Sequence, residues 1–189
     1  MTQEPTMNAI DAATSVLVLV DYQGRLMPVI HDGEAVVARA LRLARAAHAL
    51  DIPVVGTEQN RSGLGPNLDA IREACALTLP KTHFDACADG LVQALEAAAP
   101  GRDQVVVAGC EAHVCMMQTA LGLLRAGRRV WVVANASGSR RAFDHAAAMA
   151  RLSTAGATIV THEMVLFEWL HDCRHPRFRE VLQIVKEEG

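Results

Sequence analysis

Residues 104–134 read QVVVAGCEAHVCMMQTALGLLRAGRRVWVVA, and this stretch decides the fold class. Gln104–Ala108 is short, β-branched and apolar on both parities, as expected of a strand buried on both faces. Gly109 to Val114 is a turn. Val114 to Ala126 carries apolar residues at helical spacing and closes on Gly127, the residue type that tolerates a left-handed C-cap. Val130–Ala134 resumes as an apolar strand. Strand, helix and strand in this order imply parallel strands covered by helices.

The same alternation runs outward in both directions. Val16–Val20, Val54–Thr57, Ala76–Leu79 and Ala157–Thr161 read as further strands. Gly33 to Leu50, Leu68 to Ala74, Asp89 to Ala99 with Asp89 as N-cap, Arg140 to Ala155, Glu163–Leu170 and Pro176–Lys186 read as helices. Asn60 to Pro66, with Gly63, Gly65 and Pro66, reads as a loop. No Pro-, Gly- or Ser-rich linker splits the chain and no repeat is visible. The expected architecture is a three-layer α/β/α domain over residues 15–189, preceded by a flexible segment, residues 1–14.

The chain has 189 residues, 51% hydrophobic and 21% charged, a composition that excludes a disordered protein. A chain of this size buries roughly 70% of its unfolded surface and needs no metal or disulfide for a core. Aromatic residues make up 4% and the net charge is −3. Neither base stacking nor phosphate neutralisation is supported, so nucleic acid is not an expected partner. Five cysteines, an odd count without a repeated CxxC pair, argue for a reducing, cytoplasmic setting. The start lacks the basic and apolar regions of a signal peptide, and no apolar run approaches membrane-spanning length.

In parallel α/β sheets, ligands bind beyond the carboxyl ends of the strands. Three polar residues stand there: Asp21 after Val16–Val20, Lys81 after Ala76–Leu79, and Cys115 after Gln104–Ala108 and its turn. A cysteine opening a helix has its thiolate favoured by backbone N–H groups and the helix dipole, and a nearby lysine adds to this. A carboxylate can accept the thiol proton and return it to a leaving group. The set suits nucleophilic acyl transfer through a thioester, with N–H groups of the 109–115 turn as an oxyanion hole. Taken singly, each has a plainer role: Asp21 as a turn residue, Lys81 as a surface charge, Cys115 as a small buried hydrophobe.

At these residues the chain resembles the isochorismatase-like cysteine hydrolase superfamily. The matching pieces are LVLVDYQGRL (Leu17–Leu26), LPKTHFDA (Leu79–Ala86) and Val105–Arg140. TEQN (Thr57–Asn60), GLGP (Gly63–Pro66) and HPRF (His175–Phe178) look most like the isochorismatase domain-containing branch. The resemblance spans about Ser15 to Lys186. It implies a six-stranded mostly parallel sheet and a catalytic triad at Asp21, Lys81 and Cys115. It also implies a non-proline cis peptide, by position Cys110–Glu111, that would turn the Glu111 N–H toward the substrate beside that of Cys115. A homo-oligomer is implied as well, with the apolar segment Val165–Leu170 either at an interface or internal.

Two departures bear on function. Nicotinamidase relatives carry a metal site of the form Asp-x-His…His after the second strand. Thr57 to Gly63 holds no histidine here, so no metal and no cofactor are expected. Asn135-Ala136 stands where the family commonly has Asp-Ala, which puts a supporting hydrogen bond in question.

Gln23, Glu58, Phe84, His113 and Met116 are expected to line the pocket, each lying near a triad position or strand end. Cys110, His113 and Cys115, or His171, Cys173 and His175, lack the paired spacing of a zinc site. Arg140 and Arg141 follow a strand-end loop and could meet an acidic substrate. The resulting expectation is a hydrolase acting on a small-molecule amide or related C–N bond. Alternatives on the same fold are a non-catalytic interaction protein and a redox thiol protein in which Cys110 resolves an oxidised Cys115. A working triad is expected to alkylate at Cys115 well below the ordinary thiol pKa of about 8.5.

Overall fold

The computed structural model describes residues 9–187. Six strands form one sheet: β1 (Ser15–Val20), β2 (Val54–Gln59), β3 (Leu77–Lys81), β4 (Gln104–Gly109), β5 (Arg129–Val133) and β6 (Thr158–Val160). Their order is β3-β2-β1-β4-β5-β6 and every pairing is parallel. The chain starts at the centre, winds outward to β3, returns to β4 and winds outward again. The switch point between β1 and β4 is where such sheets open a crevice.

The helices are α1 (Gly33–Ala49), α2 (Arg61–Leu64), α3 (Asp69–Ala74), α4 (Leu91–Ala98), α5 (Met117–Arg125), α6 (Ala142–Thr154), α7 (His162–Leu170) and α8 (Phe178–Lys186). Strand alternation sorts the core into two halves. Leu17, Leu19, Val54, Val106 and Val133 face α1, α3, α7 and α8. Val16, Val18, Val20, Val55, Val105, Val107 and Val132 face α4, α5 and α6. This is the doubly covered sheet that uninterrupted apolar strands require.

Several local expectations are corrected. Of the segment 1–14, residues 1–8 lie outside the described residues, and of residues 9–14 Ile10 is buried while Ala13 is exposed. Ile10 is fully buried in the core, and Asp11 caps a 3-10 turn at Ala12–Thr14. A single apolar residue among polar neighbours carried no periodic signal. Asp89 does not cap α4; its Oδ2 accepts the N–H groups of Thr82 and His83, and Gly90, at φ 94°, precedes the helix. Pro80 sits inside β3, tolerated because β3 is an edge strand. Within Val165–Leu170, residues Val165, Leu166, Trp169 and Leu170 are core, while Phe167 is exposed.

Candidate active site

The registers bring the strand ends together. Val20 pairs with Gly109 across β1 and β4, and Gln59 pairs with Lys81 across β2 and β3. Asp21, the next residue after β1, adopts φ 55°, a left-handed conformation that aspartate tolerates better than most residues. Its Oδ1 accepts a hydrogen bond from Thr57 Oγ1 at 2.6 Å. Its Oδ2 meets Lys81 Nζ at 2.8 Å through charge rather than an aligned hydrogen bond. Lys81 also donates to Gln59 Oε1 at 2.6 Å and lies 3.4 Å from the carbonyls of His83 and Phe84. A buried ammonium needs such a set of acceptors, because its desolvation is otherwise uncompensated.

Cys115 lies in a π-type turn, Ala112–Met116, that leads into α5. Its thiol is 3.9 Å from Gln59 Oε1 and its residue exposure is 6%. Gln59 therefore touches both Lys81 and the thiol. Burial first, and the Asp21 charge second, push the Cys115 thiol up to about 12, with Lys81 pulling the other way. The expectation of an acidified thiol is thus corrected. The lysine charge is paired with Asp21, and its pull on the sulfur does not offset burial and the carboxylate, so the buried sulfur rests as a thiol. The nearest carboxylate is available as its base.

The turn itself is anchored by the segment Ser137–Ser139. Ala112 N–H donates to the Gly138 carbonyl, Gly138 N–H to Gly109, and Gly109 N–H to Ser137 Oγ. The Cys110–Glu111 peptide is cis. Val114 and Met116 N–H groups both donate to the Glu111 carbonyl, while the Glu111 N–H meets no acceptor among the described residues.

The remaining expected residues divide. Gln23 is fully buried and works on the backbone: its Oε1 accepts from Gln59 N–H, and its Nε2 donates to the Gln59 and Gly65 carbonyls. It prolongs the sheet and fixes Gln59. Glu58 is not on the Cys115 side. Side chains alternate along a strand, so Thr57 and Gln59 share the Cys115 face and Glu58 points away. There its Oε1 accepts from Asn67 N–H at 2.8 Å, its other oxygen lies 3.4 Å from Arg61, and its charge acts on Cys75. Met116 is fully buried in the core. Phe84 is 51% exposed and contributes its carbonyl to Lys81 and Thr119. His113 is half-buried, with Nδ1 3.0 Å from Ser139 Oγ and Nε2 3.7 Å from Glu111.

Asn135 has its own role. Its Oδ1 accepts from His162 N–H at 2.9 Å and its Nδ2 faces His162 Nδ1 at 2.9 Å. Burial lowers the His162 pKa, and a neutral imidazole can accept from the amide, a donation that an ionised carboxylate could not make. The residue ties β5 to α7, on the sheet face opposite Cys115. Cys110 belongs to that opposite core half as well, and its thiol still lies within electrostatic reach of Cys115. Among the described residues, no three His, Cys, Asp or Glu side chains gather around a possible ion, and no helix is long and apolar enough to cross a membrane.

Comparison with known proteins places these residues in context. The isochorismatase domain family matches residues 15–164. The zebrafish (Danio rerio) isochorismatase domain-containing protein 1 is 39% identical over 182 residues, covering 96% of this chain and 64% of that protein's length. The structure of MAR1 ribonuclease from Caenorhabditis elegans superimposes with a TM-score of 0.88 at 31% identity, over 95% of this chain and 93% of that one. The Escherichia coli YcaC gene product, described as an octameric hydrolase of unknown specificity, has a TM-score of 0.83 at 25% identity, over 95% and 97% of the two chains.

Proposed function

Because the chain belongs to the isochorismatase family, we propose that it is a cysteine hydrolase cleaving an amide or related C–N bond of a small molecule through a thioester on Cys115. The observation that carries the reading is the buried cluster in which the Cys115 thiol, Gln59 and the Asp21–Lys81 pair meet.

Asp21 removes the thiol proton as the sulfur attacks the carbonyl carbon. The resulting oxyanion rests on the N–H groups of Glu111 and Cys115. The C–N bond breaks as Asp21 returns the proton to the departing amine. Water then gives a proton to Asp21 while its oxygen bonds to the thioester carbon. The C–S bond breaks, the acid leaves, and Asp21 restores the thiol proton. Lys81 holds the carboxylate in place and stabilises the thiolate as it forms, the moment at which the sulfur carries charge. No step draws on a metal or cofactor.

The name of the worm relative raises RNA cleavage as a competitor, but the net charge of −3 offers little to a phosphate backbone. The five free cysteines support a reducing, cytoplasmic setting. Homo-oligomerisation is supported by the octameric bacterial relative. The test is a panel of small amides, esters and ureides with a labelled RNA, run on wild type and Cys115→Ala. Amine or acid release by wild type and its loss in the variant is expected; equal turnover by Cys115→Ala overturns the nucleophile.

A further inference from the structure

Arg140 stands beside the Cys115 turn and is not used by the mechanism above. Its Nε donates to both oxygens of Glu111, at 2.5 and 3.3 Å. The two side chains differ sharply in exposure: 60% for Arg140 and 7% for Glu111. On its other side the Glu111 carboxylate is flanked by His113, itself 3.0 Å from Ser139 Oγ. The carboxylate is therefore fixed, and it fixes the guanidinium through Nε. Neither terminal nitrogen, Nη1 nor Nη2, meets an acceptor among the described residues.

A guanidinium anchored at Nε with both terminal nitrogens unused is a preformed fork for a carboxylate. Neutralising Glu111 needs only the Nε contact. The fork is carried by the residue whose N–H is assigned to the oxyanion hole, so its place relative to the reacting carbonyl is set by the turn. Arg141, the next residue, is also exposed. We propose that Arg140, positioned by Glu111, is the specificity residue of the site and selects substrates that carry a carboxylate a few bonds from the scissile bond. The preferred substrate class is an acidic amide. The inference rests on Cys115 as the reacting group, and it is tested by a reaction that needs no turnover.

The rate of Cys115 labelling is measured by mass spectrometry with 3-maleimidopropionate, which is anionic, and N-ethylmaleimide, which is neutral. Wild type is expected to prefer the anionic reagent by about five- to tenfold, a preference that fades toward about 0.5 M salt. Arg140→Gln is expected to abolish the preference while leaving the N-ethylmaleimide rate within about twofold. Arg140→Lys keeps the charge without the fork and retains part of it. Arg174→Gln removes the same charge from the loop between α7 and α8 and leaves the preference intact. Equal rates in wild type, a preference that survives Arg140→Gln, or an equal fall in both rates overturns the proposal. A folded wild type unlabelled by either reagent overturns the nucleophile reading and this inference with it. Succinamate and butanamide, an acidic and a neutral amide, are the counterpart in turnover. There Arg140→Gln should lower kcat/KM for the first alone, and cleavage of neither, with the labelling preference intact, would fault the amidase reading alone.

Discussion

Lys81 Nζ lies 2.8 Å from Asp21 Oδ2, and neither side chain is exposed. The two residues end strands that are not neighbours, since β2 runs between β3 and β1. The long lysine side chain crosses the end of β2, and its Nζ also donates to Gln59 Oε1. Such a buried pair adds little net stability, but removing one partner strands the other charge, at a cost of about 3–5 kcal/mol. The pair also sets the state of the sulfur beside it.

Neutralising either partner should therefore move the Cys115 alkylation profile in opposite directions. The Asp21 charge raises the thiol pKa and Lys81 lowers it. Asp21→Asn should shift the profile to lower pH, and Lys81→Ala should shift it higher. Turnover should nonetheless fall in both, because Asp21→Asn gains thiolate but loses the proton carrier. Rates of iodoacetamide labelling between pH 6 and 10 check this; an unmoved profile in Asp21→Asn would contradict the charge coupling.

Gln59→Ala should weaken both stability and reactivity. It removes one acceptor from Lys81 and leaves the Thr82 carbonyl, which accepts from Gln59 Nε2 at 2.7 Å, without that donor. A loss of about 1–3 kcal/mol is expected from the unsatisfied groups. Gln59→Glu, with a like charge next to the sulfur, should raise the thiol pKa further. Urea unfolding and the same labelling series measure the two effects. Wild-type values in both variants would show that Gln59 is incidental.

Stability should decline on the alkaline side. Burial pushes Cys75, Cys87 and Cys115 up to about 12, and Cys110 higher still. In the unfolded chain these thiols ionise near 8.5. The native state keeps its protons longer, so the full stability is present below about pH 8.5 and is lost progressively above it. The slope is at most about 1.4 kcal/mol per pH unit for each thiol. Urea midpoints at pH 6.5, 7.5 and 9.5 should be similar for the first two and lower at the third; a flat series would count against it.

Gly109→Ala should be among the more damaging single-methyl additions. A Cβ there would lie 2.4 Å from the Val20 carbonyl oxygen, in the backbone of the central neighbouring strand, which cannot yield without disturbing Asp21. About 1–3 kcal/mol or more is expected. Gly127→Ala meets nothing within 4 Å, but its φ of 76° costs about 1–2 kcal/mol on its own. Melting temperatures of the two variants, with Cys115 labelling as a second readout, separate the effects. Only Gly109→Ala should slow the labelling.

The sequence made the strand ends legible because buried parallel strands have no polar face. The first polar residue after each apolar run is then the first one free to do chemistry, which marks Asp21 and Lys81, while Cys115 is marked by its place where the turn after β4 opens a helix. It misplaced Glu58 and passed over Gln59 for a local reason. Adjacent strand residues point to opposite faces, and which parity of β2 faces Cys115 depends on α4, α5 and α6 packing on that side. Thr57 and Gln59, two apart at a strand end, were the available signal. The packed Ile10 and the α4 start at Leu91 were likewise decided by contacts from distant parts of the chain.

The sequence alone determined the strand order along the chain, the longer helices between the strands and the three residues at strand ends, since apolar runs and helical spacing are written in local composition, while the short helix α2 fell in a stretch that reads as a loop. Only the tertiary structure decided that Lys81 is paired with Asp21 beside the sulfur, and that Gln59 contacts both Lys81 and the thiol. It also decided that Cys115 rests as a raised thiol and that Glu111 fixes Arg140. Each of these depends on distances between side chains far apart in the chain. Charge and burial act through space, whereas local sequence records only what each residue brings to the place where it is put.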